Sequence, residues 1–332
     1  MNAKKASRIR TAKRTPLQEV IPLDTPFHIF VDPSAACNFN CKFCFNRNKK
    51  NTFHKIMEYD LFVKIVNDIK NFPQKLKVLR LYKEGEPLLN KRLPDMIYYA
   101  KKNEVAETID FTTNGSLLNP DKNFSLINAG VDAINISVEG LSSRKYFEVS
   151  GVKIDFNNYV NNIKHLYKNR GNCRILIKAN DVNVSEEEQD KFYEVFGDIC
   201  DEIALEKVVP IWHNVDISDV KSDFDKGIYN QKMSDVEVCP FIFYSFTINS
   251  DGTVSSCFMD WEHLNIIGNV KEESVYDIWN GENLKKLRIC HLKNDRKRYE
   301  VCKNCKQLTF ATIDNIDSYR NEILNKIKNV KK

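Results

Sequence analysis

Three cysteines stand close together in the first part of the chain, at Cys37, Cys41 and Cys44. Thiolates are the usual ligands of iron-sulfur clusters, and each corner of a cubane cluster carries one iron. Three thiols on one short loop can hold three of those corners and leave the last iron without a protein ligand. Such an iron is open to bind another molecule.

A zinc site is the alternative for this loop. Structural zinc usually begins with a paired C-x2-C and is closed by four ligands in a tetrahedron. The loop instead begins with a gap of three residues and offers three thiols. The ligand spacing therefore favours an iron-sulfur cluster.

The motif C-x3-C-x-aromatic-C is formed by residues 37–44, with Phe43 in the aromatic position. It resembles the radical S-adenosylmethionine (radical SAM) enzymes. The resemblance implies that the open iron of a 4Fe-4S cluster chelates S-adenosyl-L-methionine, with Phe43 beside that cofactor. It also implies a 5'-deoxyadenosyl radical, which removes hydrogen from an unactivated C–H. An external one-electron reductant such as flavodoxin or ferredoxin is the implied partner.

Further polar segments resemble the cofactor-binding segments of the same enzymes. Residues 84–87 resemble the G-G-E-P segment, which implies that Glu86 binds the amino group of the methionine moiety. Glu84 replaces the first glycine of that segment, and this replacement is expected to alter the shape of the loop. Residues 112–115 resemble T-N-G and 137–140 resemble S-x-D-G. The residues implied to contact the cofactor are Asn114, Ser137, Glu139 and, for the cofactor carboxylate or the substrate, Lys178. For Asn114 and the following glycine, a turn with positive φ explains the sequence equally well.

A second set of thiols occupies the C-terminal third of the chain, at Cys239, Cys257, Cys302 and Cys305. A terminal C-x2-C in a group of four cysteines is common in zinc ribbons, so zinc competes here. The segment as a whole resembles the SPASM/twitch extension of radical SAM enzymes, through G-x4-C at 252–257, G-N-V at 268–270, I-W at 278–279 and C-x2-C.

This second resemblance implies one auxiliary 4Fe-4S cluster, and so two clusters per chain. A full SPASM domain has further cysteines after the C-x2-C pair, whereas none follows Cys305 here. Cys290 is an alternative ligand, and Cys173 and Cys200 are expected to be structural. A cluster with a thiolate on every iron is better suited to electron transfer than to substrate binding.

Short apolar runs alternate with amphipathic stretches and would position these groups. Strands are predicted at 27–32, 76–82, 108–113, 133–139, 173–180 and 201–206, and helices at 59–72, 94–103, 156–168 and 185–196. The alternation indicates a parallel α/β domain, and the resemblance implies a partial (β/α)6 barrel. An open doubly wound sheet would give a similar pattern.

Polar residues on alternate strand positions favour the barrel. Asn135, Ser137 and Glu139 share one face of their strand, and Arg80, Tyr82, Asp110 and Lys178 repeat the pattern on neighbouring strands. A polar face toward the C-terminal strand ends is typical of a barrel that holds a polar ligand. These groups, with His28, are the candidate proton acceptors. A β-hairpin with a D-G turn is predicted at 243–257.

The predicted organisation is a basic, solvated arm (1–25), the barrel (26–210), a linker (211–237), the auxiliary cluster domain (238–310) and a C-terminal helix (311–332). The 332 residues contain no apolar run long enough for a membrane span and no signal peptide, so a cytoplasmic location is expected. Ten cysteines then favour metal binding over disulfides. A net charge of +5 indicates no nucleic-acid partner.

The expected reaction is oxidation of a small hydroxylated molecule, such as a cyclitol, amino sugar or polyol, to a carbonyl. The auxiliary cluster would accept the electron, because a cluster without an open iron is suited to electron transfer. The substrate class is implied by the ligand spacing, which resembles that of a single-cluster twitch dehydrogenase acting on an aminocyclitol. The alternative is a radical SAM maturase that modifies a ribosomal precursor peptide, although the 25 residues before the first predicted strand leave no room for a peptide-recognition domain. A zinc-binding module without catalysis is the third hypothesis.

Overall fold

One sheet forms the frame of the protein, whose computed structural model describes residues 1–6, 14–48, 54–212, 215–218 and 224–329. Its ten strands are β1 Lys4–Lys5, β2 His28–Val31, β3 Leu76–Arg80, β4 Ala106–Thr113, β5 Ala133–Ser137, β6 Arg174–Asn180, β7 Glu202–Glu206, β8 Ser245–Ile248, β9 Thr253–Ser255 and β10 Ile266–Asn269. Their order across the sheet is β1-β7-β6-β5-β4-β3-β2-β8-β9-β10.

Helices cover the sheet and connect its strands. They are α1 Leu17–Val20, α2 Tyr59–Ile69, α3 Leu93–Lys102, α4 Pro120–Asn128, α5 Ser143–Ser150, α6 Phe156–Lys168, α7 Gln189–Phe196, α8 Val275–Asn280, α9 Glu282–Leu292, α10 Glu300–Lys303, α11 Gln307–Phe310 and α12 Arg320–Asn329. None of the described helices combines the length and the apolar character that crossing a bilayer requires.

The order of β2 to β7 distinguishes the two predicted architectures. Each of these strands lies beside its neighbour in sequence, and all five pairs are parallel. A doubly wound sheet would reverse its strand order at a switch point. The partial (β/α)6 barrel is therefore confirmed, and every predicted strand of it is present with bounds that differ by a few residues.

The helices form where the sequence provides caps and an apolar stripe. Helix α6 begins after Asp155, whose carboxylate accepts a hydrogen bond from the Asn158 amide at 3.1 Å. Its buried residues, Tyr159, Ile163 and Leu166, recur at the spacing of one helix face and pack on the barrel. The helix predicted at 185–196 instead begins with a short 3-10 turn before α7.

The described N-terminal residues, 1–6 and 14–25, contact the barrel rather than forming the solvated arm that their charge predicted. Strand β1 pairs with the edge strand β7, and the Ala3 amide donates to the Gly197 carbonyl at 2.8 Å. Leu17 and Ile21 are buried in the core. A short strand with lysines suits a sheet edge because pairing there needs only backbone groups. The predicted basic residues Arg8, Arg10 and Lys13 lie outside the described residues.

The predicted linker also makes ordered contacts where it is described. The Ile228 amide donates to the Phe310 carbonyl at 2.8 Å, and the Ser234 amide donates to the Thr309 carbonyl at 3.1 Å. These bonds attach residues 224–234 to the C-terminal region. The boundary between the two predicted domains therefore carries tertiary hydrogen bonds.

The C-terminal hairpin continues the barrel sheet rather than standing apart from it. Strand β8 runs parallel to β2, with His28 opposite Ser245 and Val31 opposite Ile248. Strands β9 and β10 then add antiparallel pairs, and the predicted D-G turn is present with Gly252 at a φ of 93°. The strand before the first cysteine group is thus hydrogen-bonded to a strand that lies between Cys239 and Cys257 of the second group.

A buried ionic network fastens this hairpin to the loop after β3. The Lys83 ammonium lies 2.7 Å from Glu84 Oε1, and His263 Nε2 lies 2.6 Å from the same oxygen. Lys83 also donates to Asn249 Oδ1 at 2.7 Å and to the Asp260 carbonyl at 2.9 Å. The side chains of Lys83 and Glu84 are 1% and 0% exposed. A buried charge that loses its partner is costly, so each group depends on the others.

We expect Glu84→Gln to lower the free energy of unfolding by about 3–5 kcal/mol, because it leaves the buried Lys83 ammonium without its carboxylate. Anaerobic guanidinium unfolding, followed by circular dichroism, measures the change. The matched control is Glu148→Gln, which makes the same substitution in the exposed Arg144–Glu148 pair and should leave the transition almost unmoved. Equal shifts in the two variants would contradict a structural role for the network.

Candidate functional site

The loop that carries the first cysteine group follows β2 and is held by backbone hydrogen bonds. The Asn40 amide donates to the Ser150 carbonyl at 2.9 Å, and the Lys42 amide donates to the Val149 carbonyl at 3.1 Å. A short 3-10 helix at Phe45–Asn48 follows the last cysteine. We call residues 37–44 the cluster loop.

The cluster loop and the loop after β3 approach each other closely at Gly85. A side chain at this position would overlap the carbonyl oxygens of Ala36 and Ser34. The next residue, Glu86, donates its amide N–H to the Ala36 carbonyl at 2.8 Å. Only glycine permits this approach, so the predicted similarity to G-G-E-P has a steric reason at its second position.

The three thiols of the cluster loop lie within electrostatic range of one another. Burial raises the pKa of Cys37 to about 12, and the neighbouring Cys44 adds to this effect. Burial also raises the pKa of Cys41, with further contributions from Glu139, Cys44 and Cys37. Metal binding would deprotonate such thiols, because thiolates are the ligating form.

The placed side chains do not define a site for a single ion. Within the described ranges, no group of three or more His, Cys, Asp or Glu residues could hold one metal ion. The ligands of a cubane cluster bind separate irons. A donor set made only of neighbouring thiols fits an iron-sulfur cluster, and the ligand assignment remains a prediction.

Glu86 fixes the ends of two strands relative to each other. Its carboxylate accepts hydrogen bonds from the Thr113 hydroxyl at 2.6 Å, the Leu88 amide at 3.0 Å and the Asn114 amide at 2.7 Å. Burial raises the pKa of Glu86, and these donors oppose that rise. An ionised carboxylate has about four acceptor positions, so capacity for one further donor remains. The predicted contact with the methionine amino group would occupy that remaining acceptor position of Glu86.

Asn114 joins the end of β4 to the cluster loop. Its side-chain amide donates to Asn38 Oδ1 at 2.9 Å, and its carbonyl accepts from the Tyr159 hydroxyl at 3.1 Å. Gly115 has a φ of 73°, which confirms the turn that the sequence offered as an alternative. Asn114 therefore has a structural role here, and its contact with the cofactor remains a prediction.

Ser137, Glu139 and Lys178 lie together where β5 and β6 end. Ser137 is opposite Lys178 in the parallel register. Burial raises the pKa of Glu139, whereas Lys178 and Asn183 lower it, and Asn183 donates to its carboxylate at 2.5 Å. Lys178 lies 3.0 Å from Glu206. The structure thus brings these predicted residues to one edge of the barrel beside the cluster loop, since Glu139 also influences Cys41.

The remaining polar residues of the inner face form a second ionic group. Arg80 Nη1 lies 2.8 Å from Asp110 Oδ2 and 3.3 Å from the Tyr82 hydroxyl. His28 packs edge-on against Tyr244, with 5.1 Å between ring centroids. Burial lowers the pKa of His28 well below its usual value, with Arg80 and Arg14 adding to the shift. The ring is consequently neutral at physiological pH.

The four cysteines of the second group also influence one another. Burial raises the pKa of Cys239, and Cys302 and Cys305 raise it further. Burial likewise raises the pKa of Cys257, with Cys239 as the next cause, and the pKa of Cys302, with Cys257 and Cys305 as the next causes. Thiols from the hairpin and from the C-x2-C pair therefore lie within electrostatic range of one another, and their assignment as ligands of one cluster stays a prediction.

Backbone N–H groups point at the second group of sulfurs. The Met259 amide donates to Cys257 Sγ at 3.4 Å, and the amides of Phe241 and Ile242 oppose the rise in the pKa of Cys239. Amide donors to sulfur stabilise thiolates and tune cluster potentials. Four neighbouring thiols with such donors fit a closed iron-sulfur cluster.

Arg288 is a buried cation bonded to the turn that follows Cys239, and sequence reasoning missed it. Its guanidinium stacks on Trp279 at 4.1 Å and donates to the Ile242 carbonyl at 3.0 Å. Burial lowers the pKa of Arg288 to about 9, and no carboxylate pairs with it among the residues that the structure describes. The helical periodicity of the sequence could not reveal this contact, because the Arg288 guanidinium bonds a carbonyl in the turn after Cys239, far away in sequence.

The other cysteines have separate surroundings. Cys290 donates to the Asp295 carbonyl at 3.0 Å, and Asp295, Arg298 and Lys293 dominate its electrostatics after burial. Burial raises the pKa of both Cys173 and Cys200 to about 12. Cys173 and Cys200 are packed in the core, in agreement with the structural role expected for them.

The segment after Cys257 lies between the two cysteine groups. Trp261 stacks on Phe45, which follows the last cluster-loop cysteine, with 5.4 Å between ring centroids. Phe258 stacks on Phe30 of β2 at 5.1 Å. Phe43, the predicted cofactor neighbour, is half-buried and packs on Val208 and Ile217. The second group is therefore attached to the wall of the first site.

Comparison with known families covers both cysteine groups. Residues 31–194 match the model of the radical SAM superfamily. Residues 239–306 match SPASM, described as an iron-sulfur cluster-binding domain. The first match contains the cluster loop, and the second begins at Cys239 and ends after Cys305.

Curated relatives match only part of the chain. A tungsten-containing aldehyde ferredoxin oxidoreductase cofactor-modifying protein of Pyrococcus furiosus is 32% identical over 34% of this chain and 31% of its own length. A probable GTP 3',8-cyclase of Methanococcus maripaludis is 34% identical over 37% of this chain and 39% of its own length. The matches thus span less than half of either relative.

Solved structures resemble most of the fold at low identity. BtrN in complex with AdoMet and 2-DOIA has a TM-score of 0.55 and 18% identity, over 87% of this chain and 96% of its own. Streptococcus suis SuiB bound to precursor peptide SuiA has a TM-score of 0.61 and 15% identity, over 87% of this chain and 75% of its own. From the two family matches and this fold, the chain belongs to the radical SAM superfamily and is an enzyme with a SPASM-type C-terminal domain.

Proposed function

We propose that this radical SAM enzyme oxidises a small hydroxylated molecule, a cyclitol, amino sugar or polyol, to a carbonyl compound. The observation that carries the proposal is the pair of thiol groups, one with three members and one with four. Three ligands leave an iron open, whereas four leave none. The second group therefore suits the acceptance of the electron that a substrate radical loses, together with a proton, as it becomes the carbonyl compound.

The residues present fit the implied cofactors. Cys37, Cys41 and Cys44 would hold one 4Fe-4S cluster, and Cys239, Cys257, Cys302 and Cys305 would hold the other. Around S-adenosyl-L-methionine we place Phe43, Glu86, Asn114, Ser137, Glu139 and Lys178. When bound, the first cluster and S-adenosyl-L-methionine together supply the radical that abstracts hydrogen from substrate.

The chain's own residues would orient the substrate. Arg80 and Asp110 present a charged pair on the inner face, in which the Arg80 side chain is 24% exposed. Charged hydrogen-bonding groups of this kind can hold hydroxyl or amino substituents. Barrel enzymes place their chemistry at the C-terminal strand ends. Tyr82, just beyond β3, meets that condition for a proton acceptor, whereas His28 begins β2 at the opposite end.

The likeness to BtrN supports this substrate class, because the solved structure of that protein is a complex with AdoMet and 2-DOIA. A precursor peptide is the second candidate, supported by the likeness to SuiB bound to SuiA. Both comparisons concern the fold alone at these identities. A substrate test is therefore the deciding measurement.

The test is deuterium transfer. Carbon-deuterated aminocyclitols and amino sugars are incubated anaerobically with the reconstituted enzyme, S-adenosyl-L-methionine and a reductant. Mass spectrometry then measures deuterium in 5'-deoxyadenosine and the appearance of a carbonyl product. Transfer from a sugar or cyclitol carbon supports the proposal. Transfer only from a synthetic precursor peptide favours the second candidate.

We expect Cys302→Ala/Cys305→Ala to lose about half of the bound iron, because each cubane cluster accounts for an equal share. Formation of 5'-deoxyadenosine should continue in this variant while carbonyl product is lost. Iron and sulfide assays with product analysis make the measurement. Cys173→Ala, a buried cysteine outside both groups, is the control and should retain all of its iron. Product formation at the full rate in the double variant would contradict the assigned role.

We expect Cys37→Ala to abolish 5'-deoxyadenosine formation, because the first cluster then lacks one of its three ligands. The variant should keep the electron paramagnetic resonance signal of the second cluster. Chromatographic assay of 5'-deoxyadenosine after reduction measures the loss, and the signal verifies folding. A variant that still cleaves S-adenosyl-L-methionine at a rate near that of the wild type would refute the ligand assignment.

A further inference from the structure

The cluster loop is continuous with the outer surface of α5. Its amides at Asn40 and Lys42 donate to the carbonyls of Ser150 and Val149 at the end of that helix. Cys41 and Cys44 are themselves only partly buried. The C-terminal end of α5 is therefore hydrogen-bonded directly to the loop that carries the first thiol group, and Lys42 lies on that loop between Cys41 and Cys44.

Basic residues dominate this surface. Lys42, Arg144 and Lys153 are exposed, and Lys145 is half-buried beside them. The one acid on the exposed side of α5, Glu148, accepts a hydrogen bond from Arg144 at 2.8 Å. That bond lowers the pKa of Glu148, and Lys145 and Lys42 lower it further. The positive charges of the neighbouring basic residues thus outweigh the single negative charge of Glu148 on this side of α5.

The next acid along the chain, Asp155, is exposed and uses its carboxylate to cap α6, accepting from the Asn158 amide at 3.1 Å. An apolar side chain lies among the cations, since Phe147 is 50% exposed and the Lys153 ammonium lies 5.7 Å from its ring centroid. An exposed aromatic ring surrounded by charge is typical of the centre of a protein interface.

We propose that this surface, formed by Lys42, Arg144, Lys145, Phe147 and Lys153, docks a small acidic protein that carries one electron. Charge complementarity selects an acidic partner and speeds its encounter. In the step itself the carrier loses one electron and the first cluster gains it, with no atom transferred. The inference rests on the proposed function only in requiring an external electron donor.

The test compares two reductants on Arg144→Glu/Lys153→Glu. With reduced flavodoxin, and in parallel with reduced ferredoxin, 5'-deoxyadenosine formation at low salt should fall about tenfold or more. With reduced methyl viologen it should match the wild type, because a small dye needs no docking surface. The wild-type rate with a protein carrier should decline steeply with ionic strength. Phe147→Ser should weaken carrier binding with little change in salt dependence.

The control is Lys286→Glu/Lys328→Glu, which makes the same change in net charge on α9 and α12. Its carrier-driven rate should equal that of the wild type. An equal loss in the control, an unchanged rate in the test variant, or a loss with methyl viologen overturns the docking surface. The docking surface is also overturned if methyl viologen reduces the wild-type enzyme and neither flavodoxin nor ferredoxin does.

Calorimetric titration of flavodoxin and ferredoxin onto the enzyme tests the surface without turnover. The test variant should bind more weakly than the control variant. If the wild type forms no 5'-deoxyadenosine with any reductant, the proposed function fails. The binding difference still decides the docking surface in that case, so the two failures are distinguishable.

Discussion

The closest steric constraint in the structure is the contact of two backbones at Gly85. Because no side chain fits there, the loop after β3 can lie on the carbonyls that precede the cluster loop. Glu86 then reaches both Ala36 and the end of β4 at Asn114, and Asn114 returns to the cluster loop through Asn38. These contacts close a ring of hydrogen bonds that includes the start of the cluster loop. The positions of Glu86 and Asn114, two of the predicted cofactor residues, depend on that ring.

The sheet determines where the second thiol group lies. Strand β8 is paired in register with β2, so the hairpin cannot shift along the barrel without breaking a parallel ladder. Cys257 follows β9, and the segment after it packs on Phe30 and Phe45. A fixed separation would suit the proposed transfer of an electron to the second group, because the loops that carry the two thiol groups are attached to neighbouring strands of one sheet. The hydrogen bonds between β2 and β8 thus hold the two thiol groups in the relative position that the proposed chemistry requires.

The barrel and its cysteines could be predicted because their signals are local. A period of two residues marks the strands, a period near 3.6 marks the helices, and the D-G turn marks the hairpin. The N-terminal strand at Lys4–Lys5 could not, since its hydrogen bonds come from β7 and its sequence has no apolar pattern. Arg288 was missed for a related reason. Its role depends on a turn far away in sequence, which no periodicity describes.

The departure from the family pattern at Glu84 has a consistent physical explanation. The replacement of the first glycine by Glu84 leaves the close contact with the Ser34 and Ala36 carbonyls intact, because that contact is made by the next residue, Gly85. The Glu84 side chain pairs with Lys83 and with His263, which is 179 residues further along the chain. Lys83 in turn donates to Asn249 and to the carbonyl of Asp260. A glycine at this position has no carboxylate to make these contacts. The glutamate therefore connects the loop after β3 directly to the hairpin that carries Cys257.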